Sequence, residues 1–169
     1  MQVDVDLQDA YSSSTAQVPI AAETWLTWFN RWFELLHPSL PPACSYELCL
    51  RLTDDGEIAS LNSFYRQQPQ PTDVLAFAAL EVEVPRSPPD QTELLHLGDI
   101  VISVDTAQRQ SLAGQHSLTV ELAWLAAHGF LHLLGWDHPD PASLEQMLKQ
   151  QSILLAAVGL ENPALESFI

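Results

Sequence analysis

Hydrophobic and polar positions follow two periods along this chain, one typical of helices and one of strands. Apolar residues recur every three or four positions over Ala21–Leu36, which predicts an amphipathic helix that Pro38 prevents from continuing. Alternation with a period of two, or a short apolar run, predicts strands elsewhere. The predicted strands are Met1–Leu7, Ser45–Leu52, Asp73–Ala79 and Gly98–Ser103.

Further helices alternate irregularly with these strands. They are predicted from Thr53 or Asp54 to Tyr65, over Val104–Leu112, from Ser117 or Thr119 into a histidine-rich segment, and over Pro141–Ala157 before Gly159. The proline-rich stretch Glu81–Asp90 predicts a surface connection. Because there is no strict strand–helix–strand repeat, we expect an α+β fold. The expectation is one domain, residues 1–169, with a small mixed sheet of about four strands packed against about five helices on one side.

Composition limits the classes of function. The 169 residues are 47% apolar, enough for a packed core, yet the net charge is −16 and Lys149 is the only lysine. This balance excludes a general nucleic-acid coat and a polybasic membrane binder. It permits a nucleic-acid enzyme only if a few arginines are focused at one site.

The chain shows no signal for a membrane or for secretion. Its most apolar stretch, Leu118–Gly135, is shorter than the ~20 residues of a membrane span and contains ionisable side chains. The N-terminus has no cationic start, and two cysteines, Cys44 and Cys49, cannot form a disulfide framework. We therefore expect a cytoplasmic protein with reduced thiols.

Three histidines carry the candidate chemistry. His128 and His132 are four residues apart in a predicted helix, so both rings project from one face. Gly135 allows the chain to turn back, which brings His138 toward the pair, and Pro139 stops the helix from resuming. This spacing is typical of metzincin zinc sites.

Packing alone explains three such histidines poorly, because each unpaired buried ring would cost roughly 1–3 kcal/mol. Three imidazoles suit one zinc ion per chain, although nickel or copper would also bind them. No cysteine or further histidine is near in sequence, so we expect three protein ligands and an open fourth position that holds water.

The residue after the first histidine argues against a peptidase. Zinc peptidases with this spacing carry their general-base glutamate there, whereas this chain has Gly129. The nearest carboxylate is Asp137, which could orient a ligand, handle a proton, or merely cap the turn after the helix.

Three segments resemble the YbeY family of zinc-dependent bacterial endoribonucleases. The segment HGFLHLLGWDH at 128–138 is similar to the family's H-G-x-L-H-L-x-G-[YW]-D-H signature. LNSFYR at 61–66 with PTDVLAF at 71–77, and GDIVIS at 98–103, are similar to two further family blocks. The chain departs at Gln68 and Pro69, where the family has a lysine–aspartate pair, and at Ala76 and Ala78, where it has serine and proline.

The resemblance implies an α+β fold and a single-strand-selective endoribonuclease that matures small-subunit ribosomal RNA and acts in ribosome quality control. It assigns Arg66 to the phosphate, a role that a planar guanidinium suits. It also implies contact with small-subunit ribosomal proteins and an assembly GTPase.

Two other classes of function stay open from the sequence. One is a non-catalytic ribosome-assembly factor whose metal only holds the turn before His138. The other is a metal-dependent hydrolase of a different substrate.

Overall fold

The computed structural model describes residues 2–11, 20–79 and 94–163, and within them the chain forms one four-stranded sheet and five helices. The strands are Val3–Asp9 (β1), Ser45–Thr53 (β2), Val74–Ala78 (β3) and Leu94–Ser103 (β4). The helices are Ala22–Leu36 (α1), Asp55–Arg66 (α2), Val104–Gly114 (α3), Leu118–Leu133 (α4) and Pro141–Ala157 (α5). The predicted surface connection Glu81–Asp90 lies outside the described residues.

The sheet is mixed, with the strand order β1-β2-β4-β3. β1, β2 and β4 run parallel, and β3 pairs antiparallel with β4 at one edge. These observations confirm the predicted α+β class with one mixed sheet. Among the described helices, none combines the length and the apolarity needed to cross a bilayer.

The main core lies between the sheet and α4, which is buried along almost its whole length. α1 covers the same side through its aromatic stripe, where Phe29 and Phe130 pack edge to face with ring centroids 5.2 Å apart. The indole of Trp32 donates to the carbonyl of Leu154 at 2.8 Å, which ties α1 to α5. Apolar packing on several sides therefore fixes the position of α4 independently of its histidines.

The expectation that all helices cover one side of the sheet is wrong for α2. Ile58 of α2 packs with Leu75 and Val101 in a second apolar cluster. Since neighbouring strand residues point to opposite faces, Val101 faces away from Ile100 and Ile102, which belong to the main core. A continuous apolar run is typical of a strand buried on both faces, and that is the case for β4.

β4 also begins four residues earlier than predicted, because Gly98 lies inside the strand and does not start it. The register between β2 and β4 shifts at this level, and Gly98 has a φ of +140°. A Cβ at position 98 would lie 2.2 Å from the carbonyl oxygen of Phe77. The glycine thus permits a close approach of two strands.

Candidate metal centre

The structure brings the three predicted histidines together at the C-terminal end of α4. Ligand nitrogens of His128, His132 and His138 all lie within 4.8 Å of one another. The Nε2 atoms of His128 and His132 are 3.0 Å apart. Nitrogens bound tetrahedrally to one zinc at ~2.0–2.1 Å are themselves about 3.4 Å apart. The donor set therefore fits a single ion after only small side-chain adjustments.

The turn that returns His138 is a Schellman motif. The amide of Trp136 donates to the carbonyl of Leu131 at 2.9 Å, and the amide of Gly135 donates to that of His132 at 3.1 Å. Gly135 has a φ of +99°, a conformation that other residues rarely adopt. The glycine thus makes the reversal that the sequence predicts.

Burial keeps two of the rings in the form that ligates metals. It lowers the pKa of His128, and, together with the charges of His128 and His138, it lowers the pKa of His132 to about 4. Because a metal competes with protons for the ring nitrogens, neutral rings favour binding near pH 7.

A glutamine from another helix contacts the centre, which the sequence did not predict. Oε1 of Gln151 in α5 lies 3.0 Å from Nδ1 of His128, and its Nε2 donates to the carbonyl of Trp124 at 3.3 Å. Gln151 is fully buried. The signal available in sequence was a polar residue on the apolar stripe that Met147, Leu154 and Leu155 form along α5.

Packing explains why a glycine follows the first histidine. A Cβ at position 129 would lie 2.7 Å from Cγ2 of Ile100, a fully buried residue of β4. There is accordingly no room here for the glutamate of a zinc peptidase, because this side of α4 packs against the sheet.

Arg66 is the last residue of α2 and is exposed to solvent. The other basic side chains in the part of the chain that the structure describes each contact a carboxylate: Arg31, Arg51, Arg109 and Lys149. Arg66 makes no such contact with a described residue. Its guanidinium is therefore available to an anion.

Asp137 is exposed beside His138, and its Oδ1 accepts from the His138 amide at 2.8 Å. This contact joins adjacent residues and therefore differs from an Asx turn, in which the side chain accepts from the amide two residues on. It also fixes the backbone of the third candidate ligand, which gives Asp137 a structural connection to the centre.

A buried glutamate, Glu121, lies two turns before His128 on α4 and contacts His116. Oε2 of Glu121 is 3.3 Å from Nε2 of His116, while Oε1 of Glu121 and Nδ1 of His116 have no hydrogen-bond partner among the described residues. Burial raises the pKa of Glu121 to about 6, against the opposing effect of His116.

Comparisons with known proteins find relatives over most of this chain and a solved structure of similar fold. The family model described as Endoribonuclease YbeY matches residues 10–159. A Trichormus variabilis protein named Endoribonuclease YbeY is 55% identical over 95% of this chain and 97% of its own. A Nostoc protein of the same name is also 55% identical, over 95% of this chain and 92% of its own.

A Thermotoga maritima protein with a known solution structure has a similar fold. Its TM-score is 0.53 at 20% identity, and the match covers 90% of this chain and 88% of that one. The family match over residues 10–159 and the two relatives of 55% identity together show that this chain belongs to the endoribonuclease YbeY family.

Proposed function

We propose that this protein is a zinc-dependent endoribonuclease that matures small-subunit ribosomal RNA in the cytoplasm, and that residues 1–169 form one catalytic domain. The observation that carries the proposal is the convergence of His128, His132 and His138 in a chain whose close relatives are named endoribonucleases. The three histidines are the proposed ligands of one ion per chain.

Zinc fits this donor set best, since three neutral imidazoles without a fourth protein ligand are typical of catalytic zinc sites. When bound, the ion supplies Lewis acidity and makes a water nucleophile available near neutral pH. Among the described residues, no fourth histidine, cysteine or carboxylate joins the cluster. This composition favours a catalytic over a purely structural metal.

Arg66 is the proposed phosphate ligand. Phosphodiester hydrolysis builds negative charge on the non-bridging oxygens, and a guanidinium can donate two parallel hydrogen bonds to them. The exposure of Arg66 and its lack of a carboxylate partner among the described residues support this role. Asp137 is proposed to orient His138 and to accept or release a proton, because it is the carboxylate nearest to the ligands in sequence.

Exposed aromatic rings next to Arg66 support a single-stranded substrate. Phe64 and Tyr65 are 75% and 57% exposed, with ring centroids 4.8 Å apart, and Tyr65 also contacts Phe77 of β3 at 5.0 Å. Unpaired bases can stack on such rings, whereas bases within a duplex cannot. Stacking also lets an acidic protein bind RNA with few phosphate contacts.

The net charge of −16 favours binding of basic partner proteins that bring RNA to this chain. Phosphate contacts normally supply most of the affinity for RNA, and this chain has six basic residues. Small-subunit ribosomal proteins would complement its acidic surface electrostatically. Together with an assembly GTPase, they are the proposed partners that deliver the RNA.

The test is cleavage of a single-stranded RNA and its matched duplex by purified protein, with and without a chelator. We expect metal-dependent cleavage of the single strand, little activity from His132→Ala, and a loss of at least tenfold in kcat from Arg66→Ala without a change in metal content. Arg31→Ala is the matched control, since Arg31 is a surface arginine on α1 that contacts Glu34.

The alternatives give different results. If chelation melts the protein while Arg66→Ala leaves RNA processing and ribosome binding intact, the protein is an assembly factor with a structural metal. If RNA is inert and another ester or amide turns over, it is a different hydrolase.

A further inference from the structure

We propose that Gln151 is a positioning residue that holds His128 in the tautomer protonated on Nδ1 and so directs the free Nε2 lone pair into the metal site. The inference rests on the proposed metal centre. It concerns a side chain of α5 that contributes no ligand itself.

The first step is the orientation of the Gln151 amide. The carbonyl oxygen of Trp124 can only accept a hydrogen bond, so the amide group 3.3 Å away must present its nitrogen there. The amide oxygen consequently faces Nδ1 of His128 at 3.0 Å. Gln151 has no solvent exposure, so water cannot replace either contact.

The second step is the proton on His128. An amide oxygen has no hydrogen to donate, so the contact is a hydrogen bond only if Nδ1 of His128 carries one. In a neutral imidazole the other nitrogen, Nε2, is then unprotonated. That atom is the one that lies 3.0 Å from Nε2 of His132.

The third step concerns His132, whose ring is held from the backbone. The backbone of Trp136 hydrogen-bonds to the His132 ring. Side-chain substitution can remove the partner of His128 but not that of His132. Two ring nitrogens 3.0 Å apart that both present lone pairs repel each other unless a cation or a proton lies between them. The free Nε2 lone pair of His128 therefore faces a position that a proton on His132 or a shared cation can occupy.

Packing gives no reason for a glutamine at this position. Gln151 lies on the same face of α5 as the buried residues Met147, Leu154 and Leu155, where an apolar residue would fill the space without polar atoms to satisfy. Outer hydrogen bonds that orient metal-binding histidines typically change metal affinity by 10–100-fold when they are removed. Orientation of His128 accounts for this buried amide.

The experiment compares Gln151→Leu and Gln151→Glu with wild type and with Gln150→Leu, a control at the adjacent position of α5. Zinc affinity is measured by competition with a chelator. The tautomer of His128 is measured from ¹⁵N chemical shifts of its ring in the metal-free protein. A structural role alone would not move this second readout.

We expect wild-type His128 to be protonated on Nδ1, and Gln151→Leu to lose this single tautomer and 10–100-fold in zinc affinity. Gln150→Leu should stay within twofold of wild type. Gln151→Glu keeps an acceptor for Nδ1 but loses the donor to Trp124, so it should bind zinc more tightly than Gln151→Leu.

The proposal is wrong if Gln151→Leu binds zinc within twofold of wild type, or if wild-type His128 is protonated on Nε2. The wild-type tautomer decides the matter even if Gln151→Leu does not fold. Because it is read without metal or RNA, failure of RNA cleavage would count against the proposed function and leave this inference standing.

Discussion

A methyl group added at position 129 tests how closely α4, the helix that carries His128 and His132, packs against the sheet. In most helix interiors, Gly→Ala stabilises a protein by ~0.8–1.0 kcal/mol, because alanine loses less backbone entropy on folding. At position 129 the new Cβ would lie 2.7 Å from Cγ2, 3.2 Å from Cγ1 and 3.4 Å from Cδ1 of Ile100. The first distance is shorter than side-chain contacts allow, so α4 or β4 must move.

The two effects oppose each other, and their magnitudes decide the sign. Inserting a methyl group into a well-packed core costs roughly 1–3 kcal/mol. Ile100 is fully buried and β-branched, so it cannot rotate away cheaply. After the gain in helix propensity is subtracted, Gly129→Ala should destabilise the protein by about 1 kcal/mol. Because the shift separates α4 from β4 at the histidines, zinc affinity should also fall.

Urea unfolding at pH 7 measures the change, with Gly56→Ala in α2 as the matched control. A Cβ at position 56 would meet only Oδ1 of Asp54, at an ordinary 3.5 Å, so this variant should not be destabilised. Combining Gly129→Ala with Ile100→Ala removes the clash, and in that background the alanine at 129 should become stabilising. If Gly129→Ala alone raises stability by about 1 kcal/mol, the close packing of α4 on β4 is refuted.

Three further outcomes are expected. The pKa of Glu121 is raised from its ordinary 4.5 to about 6, so the folded state binds more protons than the unfolded state in this window and stability falls as pH rises through it. Glu121→Gln should therefore gain up to ~2 kcal/mol on wild type above pH 7 in urea unfolding, and an equal pH slope in both proteins would contradict this. Because burial lowers the pKa of His128 and His132, zinc binding at pH 5.5 should release fewer protons by calorimetry than the nearly three that three ordinary imidazoles would release, and a release of nearly three would contradict this. Gly135→Ala should cost ~1–2 kcal/mol and weaken zinc binding, since the φ of +99° disfavours a side chain; unchanged affinity would show that His138 is not a ligand.

The features that the sequence predicts well are those set by neighbouring residues. The spacing of His128 and His132 depends only on helix geometry, and the reversal at Gly135 depends only on the freedom of glycine. Helix starts are equally local, since the side chains of Asp54 and Ser117 accept from amides three residues later. Such local signals do not depend on contacts with distant parts of the fold.

The features that were missed depend on contacts between distant segments. α2 covers the second face of β4, and the apolar pattern of α2 looks the same whichever face it meets. Gln151 reaches His128 only because α5 packs on α4 at a particular rotation, which periodicity does not specify. Gly98 is predicted to start a strand because glycine is rare inside one. Its place within β4 depends on the pairing of β4 with β3, which brings Phe77 close and which the pattern of one strand cannot predict.

The packing of Gly129 also bears on the reaction. Zinc peptidases and this chain share the spacing of the histidines, but in the peptidases the residue after the first histidine supplies the proton acceptor. Here that position is filled by contact with Ile100, so the difference is enforced by the sheet as well as by the residue type. With no glutamate at position 129, the exposed carboxylate of Asp137, whose Oδ1 accepts from the His138 amide, is the one proposed to transfer a proton. The proposed roles of Asp137 and Arg66 suit a charged phosphodiester better than a neutral peptide bond, because developing negative charge is what a guanidinium stabilises.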